Sequence, residues 1–266
     1  MKTQRHLMCV LAHPDDESMG TGGILAKYGS EGVETSVVTA TGGEHGWFGD
    51  PSENPGAAAL AELRRQELAA ACNVLGVEHQ ISLGYEDGAL DAQDPVELVR
   101  RIVTELRLRR PQVVVTFDPF GSYGHPDHIA ISQATTSAVL VAADSTFGDH
   151  EPHAVQKLYY FVFTQSELAV FERIFGELAM EIDGTERRSV GWQPWAITTR
   201  IDTRRYARAV GQAISCHRSQ LPGALPLDQL STGDREVLWG ESTLYRLMSQ
   251  VNGGRTIERD LFEGIA

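Results

Sequence analysis

The sequence predicts an α/β fold in which helices flank a Rossmann-like, mostly parallel sheet. The order of the predicted elements supports this prediction. The first half of the chain alternates short apolar runs with helix-periodic segments, and a β-α-β-α order is typical of parallel sheets covered by helices. The second half alternates less regularly, so we expect a less regular C-terminal part. No linker divides residues 1–266, which predicts a single domain.

The first half contains four apolar runs that predict strands, at residues 7–12, 33–40, 80–83 and 113–117. Helical patterns separate these runs, at residues 18–28, 57–75, 95–110 and 129–143. Gly76 stands where a helix C-cap is expected, and Pro95 stands at a first helical turn. Residues 42–56 are rich in Gly, Pro and Asn and predict a loop longer than the usual connection. Such loops often carry function.

The second half gives weaker signals. Strands are predicted at residues 158–163 and 196–201, and helices at residues 166–175 and 203–217. Residues 241–248 alternate in polarity, which predicts one arm of a hairpin with its turn at residues 252–254.

The composition excludes several classes of protein. Of 266 residues, 42% are hydrophobic and 22% are charged, as in ordinary globular domains. The chain has 23 basic and 36 acidic residues, which gives a net charge of −13. Because an acidic surface repels phosphate backbones, we expect no nucleic-acid partner. The longest apolar runs are far shorter than a membrane span of about 20 residues. Three scattered cysteines form no disulfide framework and no signal peptide is recognisable, so we expect a cytoplasmic protein.

Two similar motifs carry the residues suited to chemistry. His-Pro-Asp-Asp-Glu at residues 13–17 directly follows the first predicted strand. His-Pro-Asp-His at residues 125–128 follows the strand predicted at residues 113–117. The carboxyl ends of parallel strands lie at one edge of a sheet, where open α/β sheets bind ligands. We therefore expect the two motifs to meet in one site.

The residue types in these motifs suit zinc. His13, Asp16 and His128 would supply two imidazoles and a carboxylate, and catalytic zinc takes three such ligands and leaves a position open. A tight turn can aim the first and fourth residues at one ion, which leaves Asp15 free as a general base. Alternatively, both motifs are ordinary polar turns. Two such motifs, each following a strand, favour the metal site.

The two motifs resemble the PIG-L/LmbE family of zinc-dependent de-N-acetylases, whose LmbE-like fold is the Rossmann-like one predicted above. Shorter matching pieces extend the resemblance over nearly the whole chain, at residues 41–44, 64–67, 75–77, 87–88, 217–220 and 258–262. The resemblance implies His13, Asp16 and His128 as zinc ligands and Asp15 as the general base, the same roles that the residue types suggest.

The resemblance also implies roles for five further residues. His125 would stabilise the oxyanion or protonate the leaving amine, with Asp127 orienting its ring. Tyr123 matches a mobile tyrosine that helps bind the oxyanion in some members. Arg64 and Asp87 match positions that hold sugar hydroxyls. Arg64 could instead be a helix-surface charge, and Asp87 a turn residue.

The function implied is hydrolytic removal of an N-acetyl or related acyl group from an amino sugar, glycoside or conjugate. Water activated by one Zn²⁺ per chain would attack the amide, with Fe²⁺ as a possible ion in the cell. Two alternatives remain open, a metal-dependent hydratase of a dicarboxylic acid in the same fold and a zinc-binding protein without catalysis. The expected partner is a small N-acetylated molecule, and a homo-oligomer is possible.

Four other polar or aromatic side chains invite attention. Glu17 is expected at a helix N-terminus or behind the ligands rather than as a ligand itself. His45 and Trp47 lie in the long loop, where they could approach the substrate or, in the case of Trp47, pin the loop. His217 could touch the substrate or cap a helix.

Overall fold

The computed structural model describes residues 4–221, 227, 230–254 and 256–266. The strands among these residues are β1 (His6–Leu11), β2 (Glu34–Thr41), β3 (His79–Tyr85), β4 (Val113–Phe117), β5 (Lys157–Phe161), β6 (Ala179–Ile182), β7 (Thr185–Arg188), β8 (Thr199–Asp202) and β9 (Glu241–Ser249). The helices are α1 (Asp16–Gly20), α2 (Gly22–Ser30), α3 (Ala57–Leu75), α4 (Pro95–Arg109), α5 (Gly121–Gly124), α6 (Pro126–Val141), α7 (Gln165–Phe175), α8 (Ala207–Ile214) and α9 (Thr232–Trp239).

Seven strands form one sheet in the order β3-β2-β1-β4-β5-β9-β8. The first five strands in this order pair in parallel, whereas β9 pairs antiparallel with both β5 and β8. Strands β6 and β7 form a separate antiparallel hairpin. These pairings confirm the predicted α/β fold with a mostly parallel sheet.

The strand order reverses between β1 and β4. From β1 the chain adds β2 and β3 on one side of the sheet, and it then adds β4 and β5 on the other. Ligands of open α/β sheets bind at such a switch point, outside the carboxyl ends of the strands. The two His-Pro-Asp motifs follow these two strands, so the topology brings them together.

The centre of the sheet is fully buried. All six residues of β1 and all five of β4 are buried, as expected for parallel strands covered on both faces. Residues 7–9 pair with residues 113–115. This pairing fixes the register of β1 and β4. It therefore also fixes where the two strand ends, and the motifs that follow them, lie relative to each other.

Several predicted helix boundaries hold, and one shift matters for the site. Helix α3 ends at Gly76, whose φ of 71° is the left-handed C-cap conformation predicted. Helix α6 was predicted from residue 129, but it begins at Pro126 because His125 caps it through the N–H of Asp127. The second motif therefore forms the first turn of α6.

The C-terminal part differs most from the predictions. The hairpin predicted at residues 241–254 is wrong, because β9 lies inside the main sheet between β5 and β8. The helix predicted at residues 203–217 is shorter, with a 3₁₀ turn on either side of α8. The β6–β7 hairpin was not predicted, since its short, partly exposed strands give little apolar alternation. Within the described residues, no helix has the length and apolar character to cross a bilayer.

Candidate active site

The first motif folds back on itself at the end of β1. The backbone N–H of His13 donates a hydrogen bond of 2.7 Å to Oδ2 of Asp16, so these two side chains share one side of the turn. Asp15 lies between them with φ at 117° and is the N-cap residue of α1. Its carboxylate turns toward the Arg64 guanidinium, 3.3 Å away. The turn thus separates the predicted base from the predicted ligands.

The second motif is placed by a loop after β4. Asp118 accepts hydrogen bonds from the N–H groups of Phe120 and Ser122, which shapes the turn that leads to α6. Within the first turn of α6, the His128 ring stacks on Phe117 with 4.0 Å between ring centroids. Its Nδ1 lies 3.2 Å from the carbonyl oxygen of Gly121. These contacts direct Nε2 of His128 toward the first motif.

The three predicted ligands meet in a small triangle. Nδ1 of His13 lies 3.1 Å from Nε2 of His128 and 3.7 Å from Oδ2 of Asp16. Nε2 of His128 lies 3.6 Å from Oδ1 of Asp16. Two ligand atoms about 2.0–2.1 Å from a tetrahedral zinc are roughly 3.3–3.5 Å apart. The three distances are close to this spacing, and the two that involve Asp16 are measured to its two different carboxylate oxygens.

The far sides of the two imidazoles also suit metal ligation. Nε2 of His13 lies 3.1 Å from carboxylate oxygens of both Asp127 and Asp87. Ligating histidines commonly donate their other N–H to a carboxylate or carbonyl, as His128 also does toward Gly121. Asp127 was predicted to orient His125, but its carboxylate contacts His13 and the N–H groups of Gly88 and Leu90.

Among the described residues, two groups of three side chains each bring one potential ligand atom within 4.8 Å of the others, and neither group includes Asp16. One combines His13 and His128 with His125, and the other combines His13 with Asp87 and Asp127. Nδ1 of His125 already accepts a hydrogen bond from the Asp127 N–H, and both oxygens of Asp127 accept backbone N–H groups. In the triangle that includes Asp16, Oδ2 of Asp16 accepts the His13 N–H, and Oδ1 is the oxygen that faces Nε2 of His128.

The three members of the triangle differ in their electrostatic environment. Burial opposes charge on His13, but the carboxylates of Asp127 and Asp87 outweigh it and raise the pKa of His13 to about 10. Burial, reinforced by the like charge of Asp15, raises the pKa of Asp16 to about 7, although the opposite charge of His13 counteracts it. Burial and the charges of His13 and His125 lower the pKa of His128 well below its ordinary value. The nearby carboxylates thus stabilise positive charge at His13, whereas burial favours the neutral forms of Asp16 and His128.

His125 has a different electrostatic environment from the one predicted. Burial and the nearby charge of His13 lower the pKa of His125 to about 4, although Asp127 acts in the opposite direction. The resemblance implied that His125 could protonate the leaving amine, a role that requires the imidazolium form. The ring is instead held neutral, because burial and the charge of His13 outweigh the attraction of Asp127.

A small cavity of about 130 Å³ opens beside the triangle. Its polar wall includes Asp15, Asp16, Tyr123 and His128. The remaining wall is largely apolar and includes Met19, Phe117, Phe161, Phe163, Phe171 and Leu178. None of the described residues that line it is Lys or Arg.

The two predicted sugar-binding residues both lie inside the site. Arg64 is 3% exposed and donates to the carbonyl oxygens of Gly43 and Pro14, so it is not a surface charge. Asp87 is also buried, and its carboxylate contacts His13 and accepts the N–H of His45. Their predicted contacts with sugar hydroxyls stay predictions.

The structure also locates the side chains that were left open. His45 is exposed and lies 3.6 Å from Glu86, and the Trp47 indole donates to the carbonyl oxygen of Asp50 within its own loop. His217 stands at the N-cap position of the 3₁₀ turn at residues 218–220, but its buried side chain makes no capping hydrogen bond, and its Nε2 lies 2.7 Å from Glu17 instead. The sequence offered no spacing signal for this pair, whose members are 200 residues apart.

Comparisons with known proteins identify the family of this chain. Residues 8–139 match the PIG-L family, described as GlcNAc-PI de-N-acetylase. A protein of Kineococcus radiotolerans named 1D-myo-inositol 2-acetamido-2-deoxy-alpha-D-glucopyranoside deacetylase is 35% identical, over 98% of this chain and 83% of its own. A protein of the same name from Streptomyces avermitilis is 34% identical over 98% of both chains.

The fold has solved counterparts as well. The N,N'-diacetylchitobiose deacetylase from Pyrococcus horikoshii superimposes with a TM-score of 0.67 at 21% identity, over 92% of this chain and 85% of that one. Fold and site together define an α/β enzyme that hydrolyses amides. The chain belongs to the PIG-L family of de-N-acetylases, which confirms the family and the enzyme class predicted from the two motifs.

Proposed function

We propose that the protein removes the N-acetyl group from an N-acetylglucosamine glycoside, with an inositol glycoside as the preferred substrate. The observation that carries this proposal is the triangle of His13, Asp16 and His128 with Asp15 beside it. The glycoside is suggested by the names of relatives that are 35% and 34% identical over nearly the whole chain.

We propose that this triangle holds one zinc ion, with iron(II) as the alternative. Distances between the donor atoms and the contacts behind both imidazoles support the assignment. When bound, zinc supplies a Lewis acid that activates water and polarises the amide carbonyl.

Asp15 is proposed as the general base. Its carboxylate lies outside the ligand triangle but lines the same cavity as Asp16 and His128. Burial raises the pKa of Asp15, although Arg64 and His217 act in the opposite direction. A raised pKa makes a carboxylate a better proton acceptor. Asp15 would take a proton from the attacking water and return it to the amine nitrogen as the C–N bond breaks.

His125 is proposed to stabilise the oxyanion. Because Nδ1 of His125 accepts the Asp127 N–H, the neutral ring carries its proton on Nε2. That N–H can donate to the developing oxyanion. Tyr123 lies 6.0 Å from the His125 ring, measured between ring centroids, and lines the cavity, so its hydroxyl is the second proposed donor.

The cavity supports an acetamide substrate over a dicarboxylate. Its apolar wall suits the methyl group of an acetyl, and its volume of about 130 Å³ suits a small acyl group. A dicarboxylic acid would need cationic partners, and the described lining residues supply none. The hydratase alternative is therefore less well supported. A scaffold without catalysis would not need a carboxylate poised beside the triangle.

The decisive experiment is acetate release from a panel of substrates by the zinc-loaded protein. The panel contains N-acetylglucosaminyl-inositol, N,N'-diacetylchitobiose, free N-acetylglucosamine and an unsaturated dicarboxylic acid. We expect acetate from the inositol glycoside at the highest kcat/KM. Asp15→Asn should retain zinc and lose at least about 10²-fold in kcat. Hydration of the dicarboxylic acid without acetate release would contradict the proposal.

We also propose a cytoplasmic location. Cys9, Cys72 and Cys216 are free thiols, as expected in a reducing compartment. A single domain over residues 1–266 and self-association of the chain stay predictions, which limited proteolysis and size-exclusion chromatography with light scattering can test.

A further inference from the structure

Glu17 lies directly behind Asp15 and is completely buried. One of its oxygens, Oε2, accepts the backbone N–H of Asp15 at 2.9 Å. The other oxygen, Oε1, accepts the Ser18 hydroxyl and lies 2.7 Å from Nε2 of His217. Glu17 therefore connects the backbone of the proposed base with a residue from the far end of the chain.

The backbone of Asp15 needs such support. Its φ of 117° and ψ of −29° lie in a region that residues other than glycine rarely adopt. Strained conformations of this kind persist only where the surroundings hold them in place. Arg64 holds this turn from one side, through the Pro14 carbonyl oxygen and the Asp15 carboxylate. Glu17 holds it from the other side, through the Asp15 N–H.

His217 in turn fixes Glu17. It follows α8 and is 2% exposed, and its Nε2 forms a hydrogen bond with Glu17. Among the described residues, its Nδ1 has no partner. The turn that follows His217 is attached separately, because Ser219 donates both its N–H and its hydroxyl to Glu67. Glu17 and Glu67 thus anchor the same segment, but only Glu17 contacts Asp15.

We propose that Glu17 and His217 are positioning residues for the deacetylation, and that they hold the Asp15 carboxylate at the angle from which it accepts the proton of water. The inference rests on the proposed role of Asp15 as base. Neither side chain needs to touch the substrate or the ion. Removing the pair should allow Asp15 to relax toward an ordinary backbone conformation and turn its carboxylate away.

The test compares Glu17→Gln with Glu67→Gln as a matched control. Both changes replace a buried carboxylate that holds the segment after α8. In Glu17→Gln, the single amide oxygen cannot accept from Asp15 on one side and from Ser18 and His217 on the other, whereas Glu67→Gln leaves every contact of Glu17 intact. For Glu17→Gln we expect kcat to fall by about 10²-fold, the usual effect of a misplaced catalytic group, with KM and zinc per chain unchanged. Glu67→Gln should keep kcat within about twofold of the parent. Equal losses in both variants would overturn the inference.

His217 offers a second comparison. His217→Gln retains an amide N–H that can donate to Glu17, whereas His217→Ala retains none. We expect His217→Gln to recover much of the kcat that His217→Ala loses, and equal kcat values would contradict the inference. In crystal structures, the φ of Asp15 should leave the left-handed region in Glu17→Gln. An unchanged φ together with parental kcat would overturn the proposed role.

Asp15→Asn separates the two proposals. If Asp15→Asn is inactive and Glu17→Gln has parental kcat, the positioning role fails and the proposed base stands. If Asp15→Asn itself keeps parental kcat, the proposed base fails, and the positioning role fails with it.

Discussion

The carboxylate of Asp127 lies 3.1 Å from Nε2 of His13, while Nδ1 of the same ring lies 3.1 Å from Nε2 of His128. The His13 imidazole is thus held between the fully buried carboxylate of Asp127 and the ring of His128. This arrangement fixes the tautomer and the direction of the proposed ligand. The carboxylate of Asp127 thus contacts the proposed ligand His13, and Asp127 contacts His125 through its backbone N–H.

Asp127→Ala should therefore weaken zinc binding. We expect an affinity about 10–100-fold lower than that of the parent, measured by competition with a chelator. Asp91→Ala is the matched control, because Asp91 is an exposed carboxylate of the neighbouring 3₁₀ turn. If Asp127→Ala lowers kcat while its zinc affinity equals that of the parent, Asp127 serves His125, as the family resemblance implied.

His128→Ala should remove most of the bound metal. The substitution deletes one corner of the triangle and leaves His13 and Asp16 as the two remaining ligands. Metal per chain can be measured by elemental analysis after dialysis against a weak chelator. His79→Ala is the control, since His79 begins β3 and bonds to Glu34 outside the site. Full occupancy in His128→Ala would show that another group of side chains holds the ion.

His125→Ala should lower kcat by about 10²–10³-fold, because it removes a donor to the oxyanion. Zinc content should stay at the parental value, since His125 lies outside the proposed triangle. Tyr123→Phe in the same assay tests the second proposed donor. A His125→Ala protein that loses its zinc would place His125 among the ligands instead.

The meeting of the two motifs was predictable because local chemistry and topology agree. Each motif follows a buried strand, and the parallel pairing of β1 with β4 brings both strand ends to one edge. The partner of Asp127 was not predictable, because it depends on how the His13 ring is turned. The Glu17–His217 pair was not predictable either, since its two residues come from opposite ends of the chain and share no periodic pattern.

The fold was predictable in its first half for the same reason. Buried parallel strands and capped helices leave local signals, such as the glycine after α3. Polarity alternation in β9 indicated a strand but not its neighbours, because an antiparallel strand inside a sheet and a hairpin arm share one pattern. The neighbours are set by contacts over long sequence distances, among them those of Glu258.

Glu258 is 2% exposed and ties the C-terminal segment to the sheet. Its Oε1 accepts hydrogen bonds from Lys157 at 2.7 Å and Asn252 at 2.8 Å, and it lies 2.9 Å from Nη1 of Arg246. Its Oε2 accepts the hydroxyl groups of Tyr159 and Thr199 at 2.9 Å each. Lys157 is fully buried, so this carboxylate is what compensates its charge.

Glu258→Ala should lower the free energy of unfolding by about 3–5 kcal/mol, because it leaves the Lys157 ammonium buried without its partner. Urea unfolding at neutral pH measures this loss, with Glu263→Ala, an exposed carboxylate nearby, expected within about 0.5 kcal/mol of the parent. Burial opposes ionisation of Glu258, but hydrogen bonds from Lys157 and its neighbours outweigh burial and lower its pKa. The carboxylate therefore stabilises the parent above the ordinary Glu range, and this contribution is lost as the pH falls through the lowered pKa. The difference in stability between parent and Glu258→Ala should shrink on acidification, and a constant difference would show that packing, not charge, accounts for the loss.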